Sequence, residues 1–498
     1  MFTNDLLTLT TVGDLRAAGY PTQSVKDELR NNLLRKLKNR EPLFPGIYGY
    51  EKTVIPEIEN AVLSKHNIIL LGLRGQAKTR LARLLVNLLD EYVPVLQDSE
   101  VNDHPFHPIS LAGKELIATL GDKAPIQWIH RSDRYGEKLA TPDVTVADLI
   151  GDLDPIKAAA HRLSYSDERI LHYGIIPRTN RGIFVINELP DLQPRIQVSL
   201  FNILQEADIQ IRGFKTRIPM DIMLIFTANP EDYTNRGSII TPLKDRIDSQ
   251  IITHYPKTIE VARKITEQES FSTAQREVTV HIPDLIRDLV EQLSFEARES
   301  EFVDHKSGVS ARLAISAFET LISQAERRAV MHGETETTVR IMDLYRLTPS
   351  ITGKIELVYE GEQEGMAKVA TALIQKAIRS AFKTWFPDPS RIKSGEAGNP
   401  YKPILEWFSQ KKTVDLLFDD SQADYEARLR SVTGLAELAG SRKKVLADVP
   451  ESLRMEFILE GLSLFSVIGK DVLGEQASYK DIMGSVMKGI QFDQPSGE

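Results

Sequence analysis

Apolar residues along this chain alternate between short unbroken runs and longer stretches of helical period. Asn67-Ile-Ile-Leu-Leu-Gly72 is such a run and has strand character. It passes through a glycine-containing turn into Lys78-Thr79. Leu81, Leu84, Leu85 and Leu88 then recur at helical spacing. Two more runs follow. Gly182-Ile-Phe-Val-Ile-Asn187 is stopped by Pro190, and Asp221-Ile-Met-Leu-Ile-Phe-Thr-Ala-Asn229 ends in an amide. Pro108-Ile-Ser-Leu reads as a further strand. Between it and Gly182 lies a polar stretch longer than connections normally run.

Helical patterns flank these runs. Val25, Leu29, Leu33, Leu34 and Leu37 mark a helix that Pro42 and Pro45 end, and Val54 to Ser64 is helix-like. Thr258 to about Arg346 is helical, with Ser310 placed to cap a helix whose first turn holds Arg312. Ile351 to Gly365 reads as a strand-like strip, Met366 to Phe386 as an amphipathic helix, and Tyr401 to Phe492 as helical again. The tail Gln494-Pro-Ser-Gly-Glu498 reads as frayed. The expected division is a helical extension over 1–45, an α/β domain over 46–256, a helical domain over 257–350, and a mainly helical domain over 351–498 with a linker near 387–400.

Length supports this division, because 498 residues exceed what one core organises. Apolar content of 42% and charged content of 26% are those of a globular chain. With a net charge of −9, duplex nucleic acid is disfavoured as a main partner. There is no cysteine, which excludes disulfides, thiolate catalysis and Cys-based metal sites, and a cytoplasmic location is expected. No apolar run reaches membrane-spanning length, so no membrane partner is expected.

The first run has the strand–loop–helix context of a phosphate-binding loop. Gly72, Leu73, Arg74, Gly75, Gln76, Ala77, Lys78 and Thr79 meet the pattern G-x-x-x-x-G-K-T except at Ala77. Successive N–H groups would face one anion, with Lys78 on the β- and γ-phosphates of ATP and the Thr79 hydroxyl on Mg²⁺. Tyr48 and Gly49 stand in a loop ahead of a helix, where a nucleotide base could pack or the helix could simply start. The strand ending in Asn187-Glu188 is expected beside the phosphate-loop strand. Glu188 there is the candidate general base and Asn187 the candidate Mg²⁺ position. An amide lacks the charge of an acid, so Asn187→Asp should lower the Mg²⁺ needed. Asn229 could hold the lytic water or touch the γ-phosphate. Arg246 could reach a neighbouring subunit's γ-phosphate, or pair with Asp245 or Asp248. Arg312 in a helix's first turn opposes the helix dipole, which a phosphate or an ion pair would explain.

Together these segments resemble the AAA+ ATPases, and most closely the magnesium chelatase ATPase subunit and MoxR-like proteins. The letters are Gly72 to Thr79, Ile176-Pro-Arg-Thr-Asn-Arg181-Gly-Ile-Phe-Val-Ile-Asn-Glu188, Ile225-Phe-Thr-Ala-Asn229-Pro-Glu231 and Pro242-Leu-Lys-Asp-Arg246. The resemblance covers roughly Ile47 to Arg346. It implies a P-loop α/β core with a five-stranded parallel sheet, a helical lid and a homo-oligomeric ring of six. It further implies ATP and Mg²⁺ as cofactors, Asn229 as sensor 1, Arg246 as a finger in trans and Arg312 as sensor 2. Arg178 or Arg181 would be a further trans contact. A partner with a von Willebrand factor A domain is also implied. The function expected is an ATP hydrolase that remodels or activates a partner complex and turns over slowly without it. The alternative is an ATP-binding assembly scaffold with little turnover, suggested by Ala77 and Asn187.

Overall fold

The computed structural model describes residues 4–162, 164, 167–211, 217–229, 238–271, 276–392, 398–442, 444, 446–474 and 476–482. The residues 230–231 that follow Asn229, the centre of the expected linker at 393–397, and everything from 483 on, the expected frayed tail included, lie outside them. The chain divides into two compact units, Met1–Tyr255 and Pro256–Glu498.

The first unit is built on five parallel strands: β1 (Ile68–Leu71), β2 (Tyr135–Leu139), β3 (Gly182–Asn187), β4 (Ile222–Ala228) and β5 (Ser249–Ile252). Across the sheet they stand in the order β5-β1-β4-β3-β2. Strands β1, β3 and β4 are buried along their whole length. A parallel strand covered on both faces needs apolar side chains at every position, and that requirement writes the unbroken runs.

This order corrects one expectation. The strand ending in Asn187 does not lie beside β1, because β4 stands between them. It also places the end of β4, and so Asn229, between the phosphate loop and Glu188. A second expectation fails at Pro108-Ile-Ser-Leu, which is no strand. Ser110 caps the helix Leu111–Leu120, its hydroxyl accepting from Gly113 N–H at 2.9 Å. Asp103 accepts from the N–H groups of both Ile109 and Ser110. The strands nearby are Tyr92–Leu96 and Ile126–His130, an antiparallel pair outside the main sheet. Strand β2 lies within the long polar stretch. It is an edge strand with one neighbour, and its half-exposed residues carry no apolar run.

The helix Val25–Asn39 belongs to the core of this unit. Val25, Leu29 and Leu33 pack in one cluster with Ile68, Leu70 and Ile225. Glu28 on that helix makes a buried two-bond ion pair with Arg134, at 2.6 and 2.7 Å, just before β2. The pair is well hydrogen-bonded, so it fixes how the helix meets the sheet.

In the second unit, one hydrophobic cluster extends from Leu285 to Tyr479. Its long helices are Asp284–Arg298, Arg312–His332, Met366–Trp385 and Glu451–Leu464. Two expectations change here. Ile351 to Gly365 forms no strand: Thr348–Thr352 and Tyr359–Glu364 are helical turns, and between them Leu357 makes only an isolated bridge to Val303, while Ile351 and Ile355 are both buried in the cluster. The stretch after Tyr401 is not wholly helical. Val414–Leu417, Gly469–Leu473 and Gln476–Lys480 form an antiparallel three-stranded sheet. No described helix is long and apolar enough to cross a membrane.

Candidate active site

The loop after β1 is held from behind by residues at the exit of β5. Thr253 Oγ1 donates to Gln76 Oε1 at 2.7 Å, and the Tyr255 hydroxyl donates to Arg74 O at 2.9 Å. The Tyr50 hydroxyl lies 3.0 Å from Gln76 O and 2.7 Å from His254 O. Burial pushes that phenol up to about 12, so it remains a donor. Gly72 is required by close approach: a Cβ there would collide with Thr253 Oγ1 and Gln76 Oε1. Ala77 adopts the left-handed region, φ +57°, directly before the helix Lys78–Leu84. Gly is at ease in that conformation and Ala is not.

Lys78 is 7% exposed. Its Nζ folds back onto the carbonyls of Gly72 and Leu73, the latter at 3.1 Å. A buried ammonium resting on loop carbonyls is placed to exchange them for an anionic ligand.

The second part of the site gathers at the ends of β3 and β4. Asn187 is 6% exposed. Its Oδ1 accepts from Thr79 Oγ1 at 3.2 Å and from Thr227 Oγ1 at 3.1 Å. Its Nδ2 donates to Glu137 Oε1 at 2.7 Å. Thr227 Oγ1 in turn accepts from Glu188 N–H at 3.1 Å. Glu188 is half-buried with φ +55°, a left-handed conformation for a non-glycine residue. Backbone strain of this kind concentrates at functional positions. Glu137 also takes two bonds from Arg83, at 2.8 and 2.9 Å, and one from the Tyr135 hydroxyl at 2.7 Å. Burial works to raise the Glu137 pKa, but bonds from Arg83, Tyr135 and Asn187 outweigh it and hold the carboxyl below its usual range. Glu137 is therefore an anion at neutral pH.

The structure thus brings Lys78, Thr79, Asn187, Glu188 and Asn229 to one edge of the sheet, the carboxyl ends of β1, β3 and β4. Glu137, Thr227, Tyr50, Thr253 and Tyr255 escaped the sequence reading. Only their contacts single them out.

Other candidates lie elsewhere. Arg246 ends the helix Thr241–Arg246 and is engaged within its own unit. It donates to Pro242 O at 2.7 Å and Gln205 Oε1 at 3.1 Å, and lies 4.7 Å from the Phe201 ring centroid. Asp248, one of its expected partners, accepts from Asn67 N–H instead. Arg178 is exposed. Arg181 is 7% exposed and donates to Pro94 O at 2.7 Å within its own unit. Burial beside Arg134 brings its pKa down to about 10. Tyr48 is 37% exposed, and Gly49 N–H donates to Glu51. Arg312 is exposed in the second unit, its N–H donating to Ser310 Oγ at 3.2 Å at the start of Arg312–His332.

The residues present suit a Mg²⁺–nucleotide complex. Thr79 and Asn187 offer hydroxyl and amide oxygens, hard donors of the kind Mg²⁺ takes. Lys78 supplies a buried cation beside them. The family model described as the Sigma-54 interaction domain matches residues 160–252. That segment contains Asn187, Glu188, Asn229 and Arg246 and leaves out the phosphate loop. No curated protein matches the sequence. Among solved structures, the chain is similar to a protein of Cytophaga hutchinsonii assigned as an ATPase, at 17% identity over 73% of this chain and 98% of that one, TM-score 0.28. It is similar to a chain of the magnesium chelatase complex of BchI and BchD, at 19% identity over 65% and 98%, TM-score 0.33. NtrX from Brucella abortus matches at 16% identity over 70% and 65%, TM-score 0.37. At these values the likenesses carry no argument about the site, which stands on its own geometry.

Proposed function

We propose that this chain, whose first unit has the AAA+ ATPase fold, binds ATP with Mg²⁺ and hydrolyses it to remodel or activate a partner complex. The observation that supports this most is the convergence of Lys78, Thr79, Asn187 and Glu188 on one sheet edge, with Asn229 ending the strand between them. When bound, Mg²⁺ would supply positive charge that neutralises the phosphates. The loop N–H groups and Lys78 would bind the phosphates, Thr79 and Asn187 would hold the ion, and Glu188 would take a proton from the attacking water. Asn229 positions that water. Arg246 completes the site from a neighbouring copy in a ring of six, and Arg312 is the candidate sensor residue of the second unit. A protein with a von Willebrand factor A domain is the expected partner.

The test is the rate of ATP hydrolysis per subunit against protein concentration. The rate is expected to climb with concentration, and to fall by roughly 10²-fold or more in Glu188→Gln. A rate equal to that control with ATP still bound would favour the assembly scaffold. A second reading, a transcription activator, is favoured by the description of the matched family. Against it stand the net charge of −9 and the lack of a helix-turn-helix pattern. Retention of promoter DNA at low salt would restore it.

A further inference from the structure

We propose that Glu137 is a positioning residue that, with Asn187, supplies the Mg²⁺ site with the negative charge that position 187 lacks. The inference rests on the reading that this site takes Mg²⁺ with a nucleotide.

An amide can turn either its oxygen or its NH₂ toward a neighbour, and the two demand opposite partners. Glu137 accepts from Arg83 through both of its carboxylate oxygens, at 2.8 and 2.9 Å, so it meets Asn187 as an acceptor. Its Oε1 lies 2.7 Å from Asn187 Nδ2, so the NH₂ is committed to that side. The Asn187 oxygen is thereby turned toward Thr79 Oγ1 and Thr227 Oγ1, both donors. Every hydrogen-bonding atom of the amide is satisfied in one orientation, and flipping it would set its oxygen against a carboxylate. The same contact polarises the amide: donating to an anion makes the amide oxygen a stronger acceptor. Groups one bond beyond a ligand commonly orient and tune it in this way.

The fold makes this contact. Leu139 on β2 is in register with Asn187, and Glu137 with Val185, so Glu137 sits two residues back on the same face of the sheet. Arg83 binds Glu137 from outside and is 62% exposed against 21% for Glu137, so solvent screens the guanidinium more than the carboxylate.

This arrangement reverses the expectation drawn from position 187 alone. In Asn187→Asp, two carboxylates would meet where one hydrogen bond now stands. At that distance the two like charges repel, and the hydrogen bond that orients residue 187 is lost.

The experiment counts bound Mn²⁺, standing in for Mg²⁺, by electron paramagnetic resonance on the full chain with saturating ADP. ADP affinity is measured separately in EDTA. Glu137→Gln is expected to weaken Mn²⁺ by about 10-fold or more, with ADP affinity in EDTA unchanged. Asn187→Asp is expected to bring no tightening. The double variant Glu137→Gln with Asn187→Asp moves the single charge onto residue 187 and is expected to restore Mn²⁺ affinity. Unchanged Mn²⁺ affinity in Glu137→Gln overturns the proposal, as does tightening in Asn187→Asp alone, which decides the matter even if Glu137→Gln folds poorly. An ordinary ion pair bracing β2 would lower the thermal midpoint without moving Mn²⁺, and that result also overturns it. If the unaltered chain binds no ADP, the nucleotide reading itself fails, a result distinct from these.

Discussion

At the scale of single residues, the site concentrates backbone strain. Ala77 and Glu188 both hold left-handed conformations, at φ +57° and +55°. Each such residue costs roughly 1–2 kcal/mol relative to glycine, so surrounding bonds must over-determine it. For Glu188 the N–H bond to Thr227 is one of them. Glu188→Gly is therefore expected to raise stability by about 1 kcal/mol, after allowing for the greater freedom of an unfolded glycine, while removing the proposed base. Glu188→Gln, which keeps the strain, is expected to leave it unchanged. Thermal unfolding of both variants checks this, and a loss in Glu188→Gly would mean the conformation is not strained. The residue scale is also where sequence and structure part. Lys78, Thr79 and Glu188 are legible as letters after apolar runs. Glu137 and Thr227 are not, since nothing local marks a Glu in a polar strand or a Thr in an apolar one.

At the scale of elements, burial decides which helices carry hidden charges. Glu291 on the helix Asp284–Arg298 is 3% exposed and accepts from Thr266 Oγ1 at 2.6 Å. Loss of solvent pushes its pKa up to about 7. A carboxyl whose folded pKa is raised binds its proton more tightly in the folded state. Its stabilisation is full below about 4.5, the unfolded value, and is lost as pH rises toward about 7. Glu291→Gln is expected to remove that slope and to raise stability at pH 8 by roughly 3 kcal/mol, with little change near pH 4. Thermal midpoints of the two proteins across that range would show it, and parallel curves would rule it out. Elements also explain which readings failed. Strands β1, β3 and β4 were legible because both faces are covered. Strand β2 and the sheet of the second unit are short and half-exposed, so their pairing leaves little trace in residue type.

At the scale of the whole molecule, Arg246 tests whether copies cooperate. Its guanidinium is engaged with Pro242, Gln205 and the Phe201 ring of its own unit. If it serves a neighbour's ATP, those weak partners must be given up on assembly. Arg246→Ala is then expected to bind ATP as before and to lose turnover by about 10³-fold or more. Loss of ATP binding together with activity would instead place Arg246 in a site of its own subunit.

Local order left its mark in the chain's own letters. Unbroken apolar runs marked the covered strands, the glycine-containing turn into Lys78-Thr79 marked the loop between β1 and the helix Lys78–Leu84, and period alone marked most helices. These follow from covalent neighbours and from burial of whole segments, which a one-dimensional pattern records. Strand order, the placing of β4 between β1 and β3, and the pairing of Asn187 with Glu137 were decided only in three dimensions. Glu137 and Asn187 lie 50 residues apart, and an amide's orientation depends on the partner that folding sets against it. The orientation of an amide at one position can thus be set by a carboxylate on another strand, which no reading of that position alone reveals.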